Sequence, residues 1–216
     1  MSESKRKPTS ALFSVAYWCV KVITKILHPF TVEGLENLPE SGALLCPNHA
    51  SNWDPVQIIV ALPRNYRLRV MGKKELFEKP VLSWLLPKLG GFPVDRNGRD
   101  IQAVKTAIQA IKSGDNLLIF PEGTVIRNGI GYVDGLPPHA HGGVSMIGIR
   151  TGATIIPVFV DGQKKLFHRT RLIFGEPYVP VYTGRHGTAE ETQKIADEIL
   201  EAAYALGGQK VGGEAL

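Results

Sequence analysis

The residues most suited to chemistry in this chain are His49 and Asp54, which lie in the stretch PNHASNWDP at positions 47–55. The apolar run before it, residues 42–46, is typical of a short buried strand. Pro55 directly after Asp54 predicts that Asp54 caps a helix with proline at its first position. On such a strand-to-helix turn Asp54 can bind one ring nitrogen of His49 and leave the other nitrogen to take a proton from a hydroxyl. The pair is therefore a candidate general base.

Other reactive side chains give weaker patterns. Cys46 lies close to His49, but its place in an apolar run favours a buried packing residue over a thiol nucleophile. Cys19 is the only other cysteine, so neither a zinc motif nor a disulfide framework is indicated. His139 and His141 form a pair among Pro and Gly residues without a third ligand nearby, which favours a loop. We therefore expect no metal site.

The composition indicates one globular domain and excludes several classes of function. The chain has 216 residues, of which 44% are hydrophobic and 21% charged, enough to bury a sizeable core. The net charge of +5 is compatible with anionic lipid or a phosphorylated substrate, and the interleaved aromatics of a nucleic-acid reader are absent. The letters contain no GxGxxG, no GKS or GKT and no GxSxG. Neither a nucleic-acid partner nor a nucleotide cofactor is expected.

Strand-like and helix-like segments alternate along the chain and predict an α/β fold. The expected architecture is a single layered domain with a mixed, largely parallel sheet flanked by helices, with functional loops at the strand ends. Pro157 inside an apolar strand predicts a sheet edge or a bend, because proline cannot donate to the ladder. Predicted strands cover residues 30–33, 42–46, 66–71, 91–94, 116–120, 154–160 and 171–174, and predicted helices cover 80–89, 99–112, 140–150 and 188–206.

The N-terminal region is predicted to form an element separate from the α/β domain. Residues 10–28 repeat apolar side chains at helical spacing, with Lys21 and Lys25 on the other side, and fall short of the roughly 20 apolar residues that span a bilayer. The pattern favours an amphipathic helix at a membrane interface, and the alternative is an ordinary helix packed into the core. The predicted organisation is a disordered basic N-terminus at 1–9, this helix at 10–28, the α/β domain at 29–206 and a flexible tail at 207–216.

Four short blocks in order resemble the glycerolipid acyltransferases, which include the 1-acylglycerol-3-phosphate acyltransferases. The NHxxxxD element at 48–54 is followed by GGFPVDR at 90–96, FPEGT at 120–124 and IIPV at 155–158. The resemblance implies that residues 29–206 are an acyltransferase domain. It implies transfer of a fatty acyl group from acyl-CoA or acyl-carrier protein to the free hydroxyl of a lysophospholipid. The implied acceptor is 1-acylglycerol-3-phosphate, which gives phosphatidic acid, with His49 as base and Asp54 orienting it.

The resemblance also implies a set of substrate-binding residues. An arginine at a strand end suits a two-pronged hydrogen bond to phosphate, and a glycine in a turn brings its backbone N–H close to an oxyanion. The implied set consists of Lys73, Lys74, Arg96, Glu122, Gly123, Thr124 and Arg127. Val125 stands where relatives commonly have arginine, and His141 stands in a region where lysine is frequent. The acceptor therefore remains open, and another lysophospholipid or an amino-lipid is the alternative.

A third hypothesis is a non-catalytic lipid-binding protein of the same fold, against which the intact His49, Asp54 and Glu122 argue. No resident cofactor is expected, because the acyl thioester is a substrate. The expected location is the cytoplasmic face of the cell membrane, with the membrane surface as a partner. The apolar residues of the predicted helix at 80–89 have three interpretations, an acyl groove, a lipid contact or core packing.

Overall fold

The computed structural model describes residues 11–95, 100–126, 139–162 and 165–211. Its centre is a seven-stranded sheet with the strand order β1-β7-β6-β2-β5-β3-β4. All neighbouring strands are parallel except β6 and β7. The strands are β1 (Phe30–Glu33), β2 (Ala43–Pro47), β3 (Leu68–Lys73), β4 (Gly91–Val94), β5 (Asn116–Leu118), β6 (Thr154–Val160) and β7 (Thr170–Phe174).

Helices cover both faces of this sheet. They are α1 (Ala11–Leu27), α2 (Asp54–Ala61), α3 (Pro80–Lys88), α4 (Ile101–Lys112), α5 (Gly143–Thr151) and α6 (Ala189–Leu206), with 3-10 turns at Leu35–Asn37 and Lys74–Leu76. Helices α4, α5 and α6 pack on one face, called face A, and α2 packs on the other, called face B. The predicted α/β domain with a mixed, mostly parallel sheet and flanking helices is thereby confirmed.

Alternation along β2 builds the two halves of the core. Leu44 packs with α4, α5 and α6, whereas its neighbour Leu45 packs with Ile58 of α2. Successive side chains of a strand point to opposite faces, so a sheet with helices on both faces needs an apolar residue at each position. Every residue of β2 is buried, which fixes the strand in the middle of the molecule.

The parallel register brings the candidate blocks to one edge. The carboxyl ends of β2, β5, β3 and β4 are neighbours in that order. His49 follows β2, Glu122 follows β5, Lys73 ends β3 and Asp95 follows β4. Functional loops of α/β proteins collect at this end of the strands.

Several predicted boundaries differ from the observed ones. Asp54 is the first residue of α2 rather than its cap, because the cap position belongs to Trp53. Of the two alternatives predicted for Pro157, a sheet edge or a bend, the sheet edge is wrong, since β6 lies between β7 and β2. The Pro157 carbonyl oxygen accepts from the Gly175 N–H just beyond β7, so the missing N–H falls where the ladder has ended. The helix expected at 140–150 begins at Gly143.

Helix α1 packs on the domain with the side that carries Tyr17 and Thr24, which we call its polar side, whereas Lys25 is exposed. Thr24 and His28 are buried, and the Tyr17 hydroxyl donates to the Ile59 carbonyl oxygen of α2 at 3.4 Å. The outward side carries exposed Val15, Trp18, Ile23 and Ile26. Each helix that the structure describes falls short of the length and apolar character needed to cross a bilayer. Residues 1–9 and 212–216 lie outside the described residues, and residues 207–211 form a turn whose Val211 packs on the face A core.

Candidate active site

His49 and Asp54 meet on the turn between β2 and α2. The His49 Nδ1 atom lies 3.1 Å from Asp54 Oδ2. The same carboxylate oxygen accepts the backbone N–H groups of Ala50 and Ser51, each at 2.7 Å. Asp54 is fully buried, so the carboxylate is held by donors of its own turn rather than by water. A carboxylate at this distance favours the imidazole tautomer with its proton on Nδ1, in which Nε2 can accept a proton.

Asn48 explains why the chain turns at this point. Its side-chain nitrogen donates to the Val160 carbonyl oxygen at 3.0 Å, and its side-chain oxygen accepts the Val160 N–H at 2.7 Å. The Asn48 amide therefore continues the pairing with β6 after β2 has ended. The His49 carbonyl oxygen accepts the Ile126 N–H at 2.7 Å, which ties the turn to the loop after β5.

The imidazole rests on an aromatic ring. Phe120 stacks on His49 with 3.9 Å between ring centroids and 27° between ring planes. The His49 ring thus has a packed face on one side and an oriented nitrogen at Asp54. An imidazole that is held in this way would lose little rotational freedom if it took the proton of a hydroxyl.

Glu122 lies directly behind the histidine. Its Oε2 accepts the backbone N–H of His49 at 2.5 Å, and its Oε1 accepts the Tyr204 hydroxyl at 2.7 Å. The side chain is only 4% exposed, and burial raises its pKa to about 7, while hydrogen bonds from Tyr204 and His49 act in the opposite direction. Asp54 nearby adds a smaller upward contribution to that pKa.

These contacts give Glu122 a different setting from that of the predicted substrate-binding residue. Both of its oxygens are taken by protein donors, and its side chain faces the interior between the turn and α6. The observed arrangement positions the backbone of His49. A substrate contact by Glu122 stays a prediction.

Gly123 and Thr124 form the turn after Glu122. Gly123 has φ 65°, and a Cβ atom there would lie 2.7 Å from His141 Cδ2, so the turn requires glycine. The Gly123 N–H donates to the Phe120 carbonyl oxygen at 3.1 Å, and in this arrangement it does not point to an oxyanion. Thr124 is exposed at the surface of the turn.

The predicted phosphate-binding cations divide into two groups. Lys73 and Lys74 lie at the carboxyl end of β3 and are exposed. Their ammonium groups lie 3.8 Å from Glu75 and 3.9 Å from Asp95, respectively. β3 is two strands from β2, about 10 Å at the usual spacing of strands. Arg96 and Arg127 lie outside the described residues.

A cavity of about 290 Å³ lies beside Phe120, the residue whose ring stacks on His49. Its wall includes Phe120 and Gly123 at one end and mostly apolar side chains of β3, α4 and α5 beyond them. The apolar part consists of Met71, Val94, Ala103, Val104, Val144 and Ile147. Asp95, Asp100 and His141 contribute polar groups to the lining. Residues of α3 are not part of it, so the acyl-groove interpretation of the 80–89 helix finds no support in this cavity.

Cys46 is excluded as a nucleophile by its surroundings. Its side chain is fully buried in the face A core, and burial raises the thiol pKa far above its ordinary value. A thiol that stays protonated is neither a nucleophile nor a metal ligand. The interpretation of Cys46 as a packing residue is confirmed.

Sequence reasoning missed three residues that hold the site. They are Asn48 and Phe120, which the sequence marks only as members of the family blocks, and Tyr204, for which the helical pattern at 188–206 predicts no role. An asparagine that follows a buried strand was the available signal for the first. The second and third depend on contacts between distant segments, since Tyr204 and Glu122 are 82 residues apart.

Comparison with known proteins agrees with this geometry. Residues 29–161 match the family model described as Acyltransferase. A 1-acyl-sn-glycerol-3-phosphate acyltransferase of Bacillus subtilis is 32% identical over 165 residues, covering 73% of this chain and 78% of the relative. A lyso-ornithine lipid O-acyltransferase of Pseudomonas aeruginosa is 27% identical, covering 74% of this chain and 64% of that protein.

A solved structure gives an independent match of the fold. The 1-acyl-sn-glycerophosphate acyltransferase PlsC of Thermotoga maritima superimposes with a TM-score of 0.61 over 90% of this chain and 80% of that chain. Sequence identity in this match is 22%, so it supports the architecture alone. The family model spans the His49 turn, the Glu122 turn and β6, and together with the Bacillus relative it shows that this chain belongs to the glycerolipid acyltransferase family.

Proposed function

We propose that this chain transfers a fatty acyl group from acyl-CoA or acyl-carrier protein to the free hydroxyl of 1-acylglycerol-3-phosphate, which yields phosphatidic acid. The observation that carries the proposal is the 3.1 Å contact between His49 Nδ1 and the buried Asp54 carboxylate, beside an apolar cavity. The name of the Bacillus relative supports this acceptor. No resident cofactor takes part, because the donor thioester is already activated.

The reaction we propose is a direct transfer in a complex of enzyme, donor and acceptor. His49 Nε2 takes the hydroxyl proton as the oxygen attacks the thioester carbonyl carbon. The tetrahedral intermediate collapses, the carbon–sulfur bond breaks, and the protonated imidazole returns its proton to the departing thiolate. Asp54 stabilises the imidazolium by its negative charge, and the Glu122 contact keeps the His49 backbone in place.

The acyl chain of the donor fits the chemistry of the cavity. Its lining is mainly apolar and includes Phe120, the residue whose ring stacks on His49. A chain seated there would bring its thioester carbonyl to the side of the cavity nearest to His49. The acceptor phosphate would meet Lys73 or Lys74 at the carboxyl end of β3, or Arg96 or Arg127.

The test is acyl transfer by the purified protein with labelled acyl-CoA and 1-acylglycerol-3-phosphate in detergent micelles. Phosphatidic acid should form, and His49→Ala should lower kcat by about a hundred- to ten-thousand-fold with an unchanged circular dichroism spectrum. His186→Ala, in an exposed loop, is the matched control and should keep full activity. A His49→Ala enzyme as active as the parent would contradict the role of base.

The second candidate function is acylation of a different lysolipid, with an amino-lipid as the main alternative. The Pseudomonas relative is named for lyso-ornithine lipid, and Val125 replaces the arginine that relatives commonly have after the threonine. A panel of lysolipids in the same assay separates the two candidates. The highest kcat/KM on 1-acylglycerol-3-phosphate supports the first, and the highest value on lyso-ornithine lipid supports the second.

Membrane attachment through α1 is part of the proposed function. The polar side of α1 packs on the domain, and its outward side carries Val15, Trp18 and Ile26, which suits the boundary between headgroups and acyl chains. We propose that this side lies on the cytoplasmic face of the cell membrane.

The attachment is tested by sedimentation with vesicles of phosphatidylcholine and phosphatidylglycerol. The parent should pellet with the vesicles, and Trp18→Ser/Ile26→Ser should shift the protein toward the supernatant by roughly tenfold in partition coefficient. Thermal unfolding should stay unchanged, since both side chains are exposed. Unchanged pelleting of the double variant would contradict attachment through α1.

A further inference from the structure

Helix α3 and the 3-10 turn before it leave apolar side chains in solvent. We call residues 74–88 the α3 surface. Val81 is 73% exposed and Trp84 is 41% exposed, and Leu76 is also exposed. None of the α3 residues is buried. Val81, Trp84 and Lys88 recur at helical spacing, so they share the outward side of the helix.

Two glycines fix α3 on face B of the sheet. A Cβ atom at Gly91 of β4 would lie 2.8 Å from the Leu86 carbonyl oxygen, so the helix approaches the strand closely where no side chain stands. A Cβ atom at Gly72 would lie 3.2 Å from the Phe77 ring. Gly72 shares its side of β3 with Leu68, which belongs to the face B core. Helices α1, α2 and α3 therefore all lie on this face.

The composition of the α3 surface favours a lipid bilayer over a protein partner. The helix contains no Asp or Glu, Lys79 precedes it, and Lys88 is its last residue. The Lys88 ammonium lies 4.6 Å from the centre of the Trp84 ring, so an aromatic and a cation share one site. Tryptophan and lysine are the residues that anchor a helix at the membrane–water interface. Residues 74–88 hold three lysines against two glutamates, a positive excess that suits anionic lipid.

We propose that the α3 surface is a second bilayer contact, which together with α1 orients the His49 edge of the sheet toward the lipid that carries the acceptor. The 3-10 turn Lys74–Leu76 follows the carboxyl end of β3, the same edge at which His49 follows β2. Contacts at α1 and at α3 define a plane, whereas α1 alone leaves the domain free to rotate about it. The proposal rests on the proposed function, because it takes the acceptor to be a lipid.

The first experiment compares turnover on two presentations of the same acceptor. Val81→Ser/Trp84→Ser is assayed on 1-acylglycerol-3-phosphate in phosphatidylcholine–phosphatidylglycerol vesicles and in detergent micelles. We expect a loss of about tenfold on vesicles and none in micelles. The matched control is Val179→Ser/Val181→Ser, which removes two valines that are even more exposed, Val181 at 85%, and lie outside the α3 surface.

Three results of that comparison, run with acyl-CoA and with acyl-carrier protein as donor, would overturn the proposal. An equal loss on vesicles and in micelles would mean that α3 supports the site itself. A loss confined to acyl-carrier protein as donor, with acyl-CoA unaffected, would mean that the α3 surface binds the carrier protein. An unchanged rate of the double variant on vesicles would mean that the α3 surface does not contact the bilayer.

The second experiment needs no catalysis. The chain has three tryptophans, so Trp18→Phe/Trp53→Phe leaves Trp84 as the single fluorophore. Vesicles with bromine on the upper part of the acyl chains should quench Trp84 emission, and absence of quenching would overturn the proposal. If the parent acylated no lysolipid in micelles, the proposed function would fail while the quenching result still decided the α3 contact.

Discussion

At the scale of single residues, the candidate base is defined by what touches it from three sides. Asp54 orients its Nδ1 atom, Phe120 supports its ring, and Glu122 holds its backbone N–H. Two buried carboxylates lie next to one imidazole, and each has a separate task. The Asp54 carboxylate, which accepts N–H groups of its own turn, contacts the His49 ring. The Glu122 carboxylate, whose pKa is raised by burial, accepts the His49 backbone N–H.

Asp54→Asn should lower kcat strongly and the free energy of unfolding only moderately. The amide can still accept some of the local N–H groups, but it favours the wrong imidazole tautomer, for which a loss of roughly ten-thousand-fold in kcat has a precedent in hydrolytic triads. The free energy of unfolding should fall by about 1–3 kcal/mol, because charged hydrogen bonds become neutral. Kinetics and chemical denaturation check both values. The double variant with His49→Ala should be no slower than His49→Ala, and additive losses would contradict a shared role.

At the scale of elements, the last helix supports the site from outside the matched family region. Tyr204 of α6 is buried and donates to Glu122, whereas the family match ends at residue 161. Helix α6 is well anchored, since Thr188 and Glu191 form a capping box at its start. The chain after β7 therefore contributes to the position of His49.

Tyr204→Phe should lower kcat several-fold with little change in KM. The variant leaves a buried carboxylate oxygen without its donor, which costs about 1–3 kcal/mol of stability and loosens the His49 N–H contact. Tyr178→Phe is the matched control, because it removes a tyrosine–glutamate hydrogen bond to Glu198, a residue of the same helix. Steady-state kinetics of both variants provide the test. Equal effects on kcat would show that the loss is a general one of α6 packing.

Gly123→Ala tests the turn that follows Glu122. The new Cβ would meet the His141 ring at 2.7 Å and would also impose a side chain on a residue with φ 65°. Gly114→Ala isolates the second effect, since Gly114 has φ 79° with no atom within 4 Å of its Cβ position. We expect Gly123→Ala to lose at least about 1 kcal/mol more than Gly114→Ala in thermal or chemical unfolding. Equal losses would mean that the His141 contact relaxes freely.

At the scale of the whole molecule, the buried Glu122 links the site to the pH dependence of folding. Burial raises its pKa to about 7 from 4.5, so the folded state binds the proton more tightly than the unfolded chain. That contribution to stability is complete below pH 4.5 and is lost as pH rises toward 7.

Glu122→Gln should remove this dependence. Between pH 4.5 and 7 the free energy of unfolding of the parent should fall relative to that of the variant by an amount on the order of 3 kcal/mol. The glutamine oxygen can accept the His49 N–H and its nitrogen can donate to the Tyr204 oxygen, so the fold should persist. Urea unfolding of both proteins across this range measures the difference. Parallel pH profiles of the two proteins would contradict a raised Glu122 pKa.

The sequence by itself determined most of the elements and the pairing of His49 with Asp54. Strand and helix positions follow from local periodicity, because side-chain spacing of two or 3.6 residues is visible in a short window. His49 and Asp54 are five positions apart, so one turn can join them without help from the rest of the chain. Because the family blocks lie in or directly after predicted strands, the sequence also predicted functional loops at the strand ends.

Only the tertiary structure decided what surrounds that pair. Glu122 points inward to His49 and Tyr204, Asn48 continues the pairing with β6, and α1 presents its polar side to the domain. Each of these depends on which distant segments become neighbours. The local sequence around Glu122, Asn48 and α1 is compatible with more than one orientation of the side chain or helix. The observed orientation is set by packing and hydrogen bonding between segments that are far apart in the sequence.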